Sequence, residues 1–371
     1  MLYDTLDALH EKHPAVEEFT LNEFRGFATS RIPLSDKITA SLLASMDAGD
    51  ISGAVIEDIV TEVRKRALAN EICLAAIDVS EGRKDFTELL TLIKSHDTIE
   101  VLTIEFITDD LEVLYDEHRN KPGLRWRLQT LNEMLGSLRR GDFGFIFARP
   151  ESGKTTFLAS EVSYFAQQSD SPILWFNNEE DGKKVQRRII QATLGYSLEE
   201  LYADIQVNRQ KYYDLTGGRI KLIDSANIHK RDVEVLVAQY KPALVVFDQI
   251  DKIKGFVNDR EDLRLGAIYV WAREIAKEHC PVIGVCQADA TGEGKAKLGM
   301  ENIANSKTSK AAEADFILGI GKRNTDGYEY SRTLTLSKNK LDGDADSVPE
   351  LRHGSREVII LPEIGRYQDI K

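Results

Sequence analysis

From residue 143 onward, short apolar runs alternate with longer stretches of helical character. FGFIFA (143–148), ILWFN (173–177), IKLI (220–223), ALVVF (243–247) and VIGVC (282–286) are the clearest runs, and others follow at 315–320, 331–337 and 357–361. Continuous runs of Val, Ile, Leu and Phe bounded by helices are strands covered on both faces. They predict a mostly parallel, twisted sheet flanked by helices, an α/β fold.

Residues 1–118 carry another pattern. SGAVIEDIVTEVRKRALANEICLAAI (52–77) places apolar residues three and four apart, as the buried face of a helix requires. DFTELLTLIKS (85–95) and TDDLEVLYDEH (108–118) repeat that spacing, the second with Thr108 as a candidate N-cap and Asp109 and Asp110 complementing the helix dipole. A small all-α N-terminal domain is expected over 1–118. Pro122 and Gly123 then interrupt the pattern, so 119–130 reads as a linker and 131–371 as the α/β domain.

Charge divides the same way. Residues 1–120 hold 25 acidic and 11 basic side chains, against 36 and 37 in the remainder. A broadly basic face for nucleic acid is not expected, and any such contact must come from local loops. No apolar run approaches the ~20 residues of a membrane span, and the start MLYDTLDALHEKH has no signal-peptide character. Cys73, Cys280 and Cys286 lie in apolar surroundings without metal-ligand spacing. They read as reduced core thiols of a cytoplasmic protein.

At the exit of the first strand stands FIFARPESGKTT (145–156). The phosphate-loop pattern G-x-x-x-x-G-K-[ST] is met from Gly153 onward, with Ala148 at its first glycine, a strand-exit position that tolerates a small side chain. The loop residues Arg149, Pro150, Glu151, Ser152, Gly153, Lys154, Thr155 and Thr156 are therefore the candidate nucleotide site. Backbone N–H groups and the helix start favour phosphate oxygens, Lys154 supplies charge to the β- and γ-phosphates, and Thr155 offers a hydroxyl to Mg²⁺. ATP and Mg²⁺ are the expected ligands. Asp248, ending ALVVFD, is placed to hold the metal through water. Glu179 and Glu180 end another strand at the edge where open α/β sheets put ligands, and either can polarise an attacking water. Gln287, after VIGVC, can sense the γ-phosphate.

With these parts in order, LQTLNEMLGSLRRGDFGFIFARPESGKTTFLASEVSYFA (128–166) resembles the start of the RecA-like motor of DnaB-type replicative helicases, where an A-R-P-x-x-G-K-T loop is usual. The resemblance covers about 125–345 and implies that Glu179 is the catalytic glutamate, Asp248 the metal-holding aspartate and Gln287 the sensor. It implies that ANSKTSKAAEAD (304–315) is the channel segment holding one DNA strand, with Asn305, Ser306 and Thr308 at contact positions and Lys307 and Lys310 adding charge. LTLSKNKLDGDAD (334–346) is similar to the segment that reaches a neighbour's nucleotide. Here Lys338-Asn339-Lys340 stands for K-x-R, so Lys340 is the finger by position, with Lys338, Arg332 or Arg323 as alternatives.

The function implied is an ATP-hydrolysing replicative helicase: a homo-oligomeric ring, typically hexameric, that moves 5′ to 3′ on single-stranded DNA. A primase or helicase loader would dock on the helical domain, and compact members of this kind occur in bacteriophages. A RecA-type strand-exchange or regulatory ATPase forming filaments, and a loader with a non-hydrolysing site, are the competing readings. The intact Lys154, Thr155, Glu179, Asp248 and Gln287 argue against the loader.

Overall fold

The computed structural model describes residues 69–89, 111–112, 123–305, 307–344 and 346–370. The chain divides into two compact units, Met1–Ile107 and Thr108–Lys371. Within the first, residues 69–80 and 86–89 are helical, as expected for those parts of 52–77 and 85–95. Of 108–118 only residues 111–112 are described, and they are helical; the Thr108, Asp109 and Asp110 cap lies outside the described residues.

In the second unit the chain enters through α1 (Gln129–Leu135) and then runs β1 (Phe143–Ala148), α2 (Lys154–Phe165), β2 (Ile173–Asn177), α3 (Gly182–Leu194), α4 (Leu198–Ala203), α5 (Ile205–Thr216) and β3 (Ile220–Asp224). It continues through α6 (Lys230–Tyr240), β4 (Leu244–Asp248), α7 (Glu261–Glu278), β5 (Val282–Gln287), α8 (Lys307–Glu313) and β6 (Phe316–Gly321), and closes with β7 (Ser331–Asn339), β8 (Gly354–Leu361) and β9 (Arg366–Asp369). One nine-stranded sheet results, in the order β3-β2-β4-β5-β1-β6-β7-β8-β9. β1 to β6 pair in parallel and β7 to β9 are added antiparallel. All strand runs read from the sequence are present. β9 was not foreseen, because RYQD is short and polar.

Strand alternation sends side chains to two cores. Ile146, Ile173, Trp175 and Val246 pack with Phe157, Val162, Val185 and Ile189 from α2 and α3. Phe145, Phe147, Leu174, Phe176, Val245 and Phe247 pack on the other face against Ile268, Tyr269, Ala272 and Ile275 of α7. Since the six leading strands run the same way, their carboxyl ends lie at one edge, the place where such sheets bind ligands.

Leu124, Trp126 and Leu128, within the stretch read as linker, are buried in the first of these cores, whereas Arg125 and Arg127 between them are half-buried. Leu124 pairs with Leu138, and the Trp126 indole donates to the Gly136 carbonyl at 3.1 Å. Its ring meets Phe157, Phe165 and Phe316. The signal was the two-residue alternation of LRWRL, which marks one buried face of an extended segment. Glu161 of α2 is buried and accepts from the Arg127 backbone N–H at 2.6 Å; burial pushes its carboxyl up to about 7.

Cys280 and Cys286 are buried core thiols, both pushed up to about 12 by burial, as read from the sequence. Cys73 is exposed: its helix offers it to solvent, so the core reading fails for this one. Among the described residues no helix is long and apolar enough to cross a membrane.

Trp126→Ala removes the indole that joins the entering segment to α2 and β6, and should destabilise this unit by about 3–5 kcal/mol. Urea unfolding followed by tryptophan fluorescence or circular dichroism measures it.

Candidate active site

The loop between β1 and α2 turns twice through the left-handed region, at Glu151 (φ 59°) and Gly153 (φ 97°). Gly153 is the N-cap of α2 and supplies no capping side chain, so the first N–H groups of the helix are left for a ligand. Lys154 and Thr155 are each 6% exposed, and the Lys154 ammonium donates to the Arg149 carbonyl at 3.4 Å, folded back over the loop.

Asp248 ends β4 fully buried. The Thr155 hydroxyl donates to its Oδ2 at 3.4 Å, and its Oδ1 has no hydrogen-bond partner among the described residues. Burial first, then the nearby Glu179, pushes the Asp248 carboxyl up to about 7, against the opposing pull of Lys154. A buried carboxylate with an open oxygen beside a hydroxyl suits a hard cation. No group of three His, Cys, Asp or Glu side chains capable of holding a metal occurs among the described residues. A cation held by Asp248 and Thr155 would need further oxygen ligands beyond these two, as is usual for Mg²⁺.

The two adjacent glutamates are used differently. Glu179 is exposed and its Oε2 accepts from the Gln249 amide at 2.7 Å, whereas Glu180 is tied to Arg188 of α3 at 3.0 Å. Gln249 is buried in a left-handed conformation (φ 71°), a strained arrangement for a side-chain-bearing residue, directly after Asp248. Asn178 is 7% exposed, and neither polar atom of its side chain has a partner among the described residues. Gln249 and Asn178 were missed from sequence; the signal was polar residues continuing a buried strand. Gln287, half-buried at the end of β5, stands opposite Ala148 in register, and its carbonyl accepts from Ala304 N–H at 3.0 Å.

The family model for the DnaB-like helicase C-terminal domain matches residues 123–340, more than half of the chain. The chain belongs to this family. Among curated relatives, the replicative DNA helicase DnaB of Buchnera aphidicola subsp. Acyrthosiphon pisum is 24% identical over 284 residues, covering 68% of this chain and 61% of that protein. The replicative DNA helicase DnaB of Pasteurella multocida is 22% identical over 332 residues, covering 85% and 68%. The chain thus spans about three fifths of the first relative's length. Among solved structures, one isolated ATPase domain has a TM-score of 0.57 at 16% identity, covering 78% of this chain and 100% of that one. A DnaB-like replicative helicase, solved in a study of its interactions with primase, has a TM-score of 0.59 at 17% identity, covering 100% and 91%. These likenesses establish the RecA-like ATPase fold.

The remaining candidates of this DnaB-like chain are divided. Arg149 is turned to the segment after β5: Nε donates to Glu293 at 2.8 Å and a terminal nitrogen to the Ala288 carbonyl at 3.1 Å. Pro150, Glu151 and Ser152 line a polar cavity of about 250 Å³ with Glu293, Lys322 and Asn324. Thr156 is buried in the first turn of α2. A larger, apolar groove of about 610 Å³, formed by residues such as Ile190, Leu201, Ile205 and Tyr212, holds none of these candidates.

Asn305 takes a left-handed conformation (φ 50°) with its amide 3.4 Å from Glu261, and Thr308 is exposed. Ser306 lies outside the described residues; Lys307 opens α8. Lys310 runs against expectation. It is fully buried, its ammonium 2.6 Å from Asp251, donating also to the Ala304 carbonyl at 3.0 Å and lying over the Tyr269 ring. Its charge is spent inside the fold, because Asp251 follows β4 and α8 packs back on α7.

The finger candidates separate as well. Lys338 caps the end of α8, donating to the carbonyls of Ala311 and Ala312. Lys340 is exposed. Arg323 pairs with Glu357 at 2.8 Å. Arg332 is 5% exposed and donates to its own chain's Ser152 carbonyl at 2.8 Å, so it is not available to a neighbour.

Asp248 holds its proton more tightly folded than unfolded, so its favourable contribution is complete below pH ~4 and is lost as pH rises through about 7. In nucleotide-free protein, Asp248→Asn should therefore raise the unfolding midpoint more at pH 8 than at pH 5. Thermal scans of both proteins across that range check it, and an equal effect at both pH values would refute the assignment.

Proposed function

We propose that this chain is an ATP-driven DNA helicase motor that works as a homo-oligomeric ring, a hexamer by analogy with its family, drawing one DNA strand through its centre, 5′ to 3′. The observation that carries the reading is the gathering of Lys154, Thr155, Asp248 and Glu179 at one carboxyl edge of a sheet belonging to the DnaB-like family.

In this reading the N–H groups at the start of α2 and Lys154 bind the β- and γ-phosphates of ATP. Thr155 and Asp248 would hold Mg²⁺, Asp248 through water, and the ion would supply charge neutralisation at the phosphate oxygens. Glu179 takes a proton from the attacking water as its oxygen bonds to the γ-phosphorus, and the bond to the β,γ-bridging oxygen breaks to release ADP and phosphate. Gln249 orients Glu179 through the 2.7 Å hydrogen bond. Gln287 links the γ-phosphate to the 288–305 segment through its carbonyl contact with Ala304. Lys340, exposed directly after β7, completes a neighbour's site, since Lys338, Arg323 and Arg332 are engaged within their own subunit.

For DNA, Asn305, Ser306, Lys307 and Thr308 remain the candidates. Lys310 holds the base of that segment instead of touching a phosphate. We assign residues 1–118 to the helical domain through which a primase or loader would act and 119–130 to the link, of which Leu124, Trp126 and Leu128 pack in the motor's core. The site of action is the cytoplasm.

Two measurements test the reading. Glu179→Gln should retain nucleotide binding while single-strand-stimulated ATP turnover falls by about 100-fold or more; normal turnover would remove Glu179 from the role. On forked DNA, the parent protein should displace a strand only with ATP and Mg²⁺. Turnover on DNA with filaments and no displacement would favour strand exchange, and no turnover at any protein concentration would sink the motor altogether.

A further inference from the structure

The rear of the phosphate loop is held by the last three strands of the sheet. Arg332 of β7 donates through Nε to the Ser152 carbonyl at 2.8 Å. Its terminal nitrogen donates to the carbonyls of Glu329 (2.8 Å) and Ser331 (2.7 Å), which fix the guanidinium in place. Tyr367 of β9, 2% exposed, directs its hydroxyl at the carbonyls of Ser152 and Gly153, each at 3.3 Å. Its ring lies edge-on to Phe157 at 5.4 Å, and its backbone N–H donates to the Ser160 hydroxyl at 3.2 Å, so the side chain is anchored on α2. A Cβ at Gly153 would sit 2.7 Å from the Tyr367 oxygen and 2.6 Å from Ile360 Cδ1, which shows how closely β8 and β9 back the loop.

The geometry has a chemical consequence. In a planar trans peptide the C=O and the following N–H point in opposite directions. The Gly153 carbonyl also accepts from Phe157 N–H at 2.9 Å within α2, so the donors act chiefly on the Ser152 carbonyl: drawing it backward aims the Gly153 N–H forward, to the face where phosphate oxygens bind. Without such donors, a loop that carries left-handed Glu151 and Gly153 has no side-chain cap to hold that orientation.

We propose that Arg332 and Tyr367 are positioning residues for nucleotide binding, a clamp through which the C-terminal antiparallel strands orient the phosphate loop. Neither touches the nucleotide; both act through the backbone of Ser152 and Gly153. The proposal rests on the nucleotide reading above and assigns Arg332 to its own subunit's site.

The test uses the full chain and a fluorescent ADP analogue titrated with Mg²⁺ present, together with steady-state ATPase kinetics and thermal unfolding without nucleotide. Tyr367→Phe removes one oxygen and should weaken ADP binding about three- to tenfold, the scale of one neutral hydrogen bond. KM for ATP should rise by more than kcat falls. Arg332→Met should weaken binding roughly tenfold or more, and Arg332→Lys, which keeps a donor, should recover part of it. If Arg332→Met does not fold, Tyr367→Phe decides. Variants that lower the unfolding temperature but bind ADP within twofold of the parent overturn the clamp. A parent protein that binds no ADP analogue overturns the nucleotide reading itself, a distinct result.

Discussion

A carboxylate almost without water, set against a helix-start hydroxyl, organises the sheet's working edge. Asp248 is reached from β4 and Thr155 from α2, and they meet only because β1, β4, β5 and β2 lie parallel with their carboxyl ends aligned. Burial makes the negative form of Asp248 expensive, and its second oxygen has no donor among the described residues. A cation beside such a group favours its charged form. The strain at Gln249 and the unpartnered amide of Asn178 lie immediately around it. Of the buried side-chain polar atoms without a partner among the described residues, those of Asn177, Asn178 and Asp248 fall at this edge and those of Arg139 and Trp175 elsewhere.

The family relation gives these contacts a context without supplying their details. Identity to the DnaB helicases is 24% and 22%, so the individual side-chain contacts are read from this chain's own structure. Lys310, Asp251, Arg332 and Tyr367 are examples of local solutions: each is buried or partly buried, and each is satisfied by a contact more than fifty residues away in the chain.

The strands and the phosphate loop were legible because they are written locally. FGFIFA followed by a glycine-lysine-threonine turn needs only the rule that buried parallel strands are continuously apolar. The position of Asp248 and Glu179 at the carboxyl edge was legible for a related reason, since a charged residue ending an apolar run has few places to go. What escaped was set by partners distant in sequence. Lys310 looked like a phosphate-seeking lysine because nothing near it shows that Asp251 will lie 2.6 Å away. Arg332 looked like a candidate for reaching outward, and only the pairing of β7 beside β6 turns it to the loop. Trp126 was a different case: its two-residue alternation was present, but the basic residues between drew the reading to a linker.

The Lys310–Asp251 pair, its ammonium buried and its carboxylate partly exposed, also bears on how this edge is held. Ion pairs exposed to solvent loosen in salt, whereas a pair with no water around the ammonium resists screening and is expensive to separate. α8 and the turn after β4 are therefore tied to each other. The chain between Gln287 and α8 returns to its start, since Ala288 bridges Ile303 and the Gln287 carbonyl accepts from Ala304 N–H, so the tip of β5 and the buried ammonium anchor the same base of that loop.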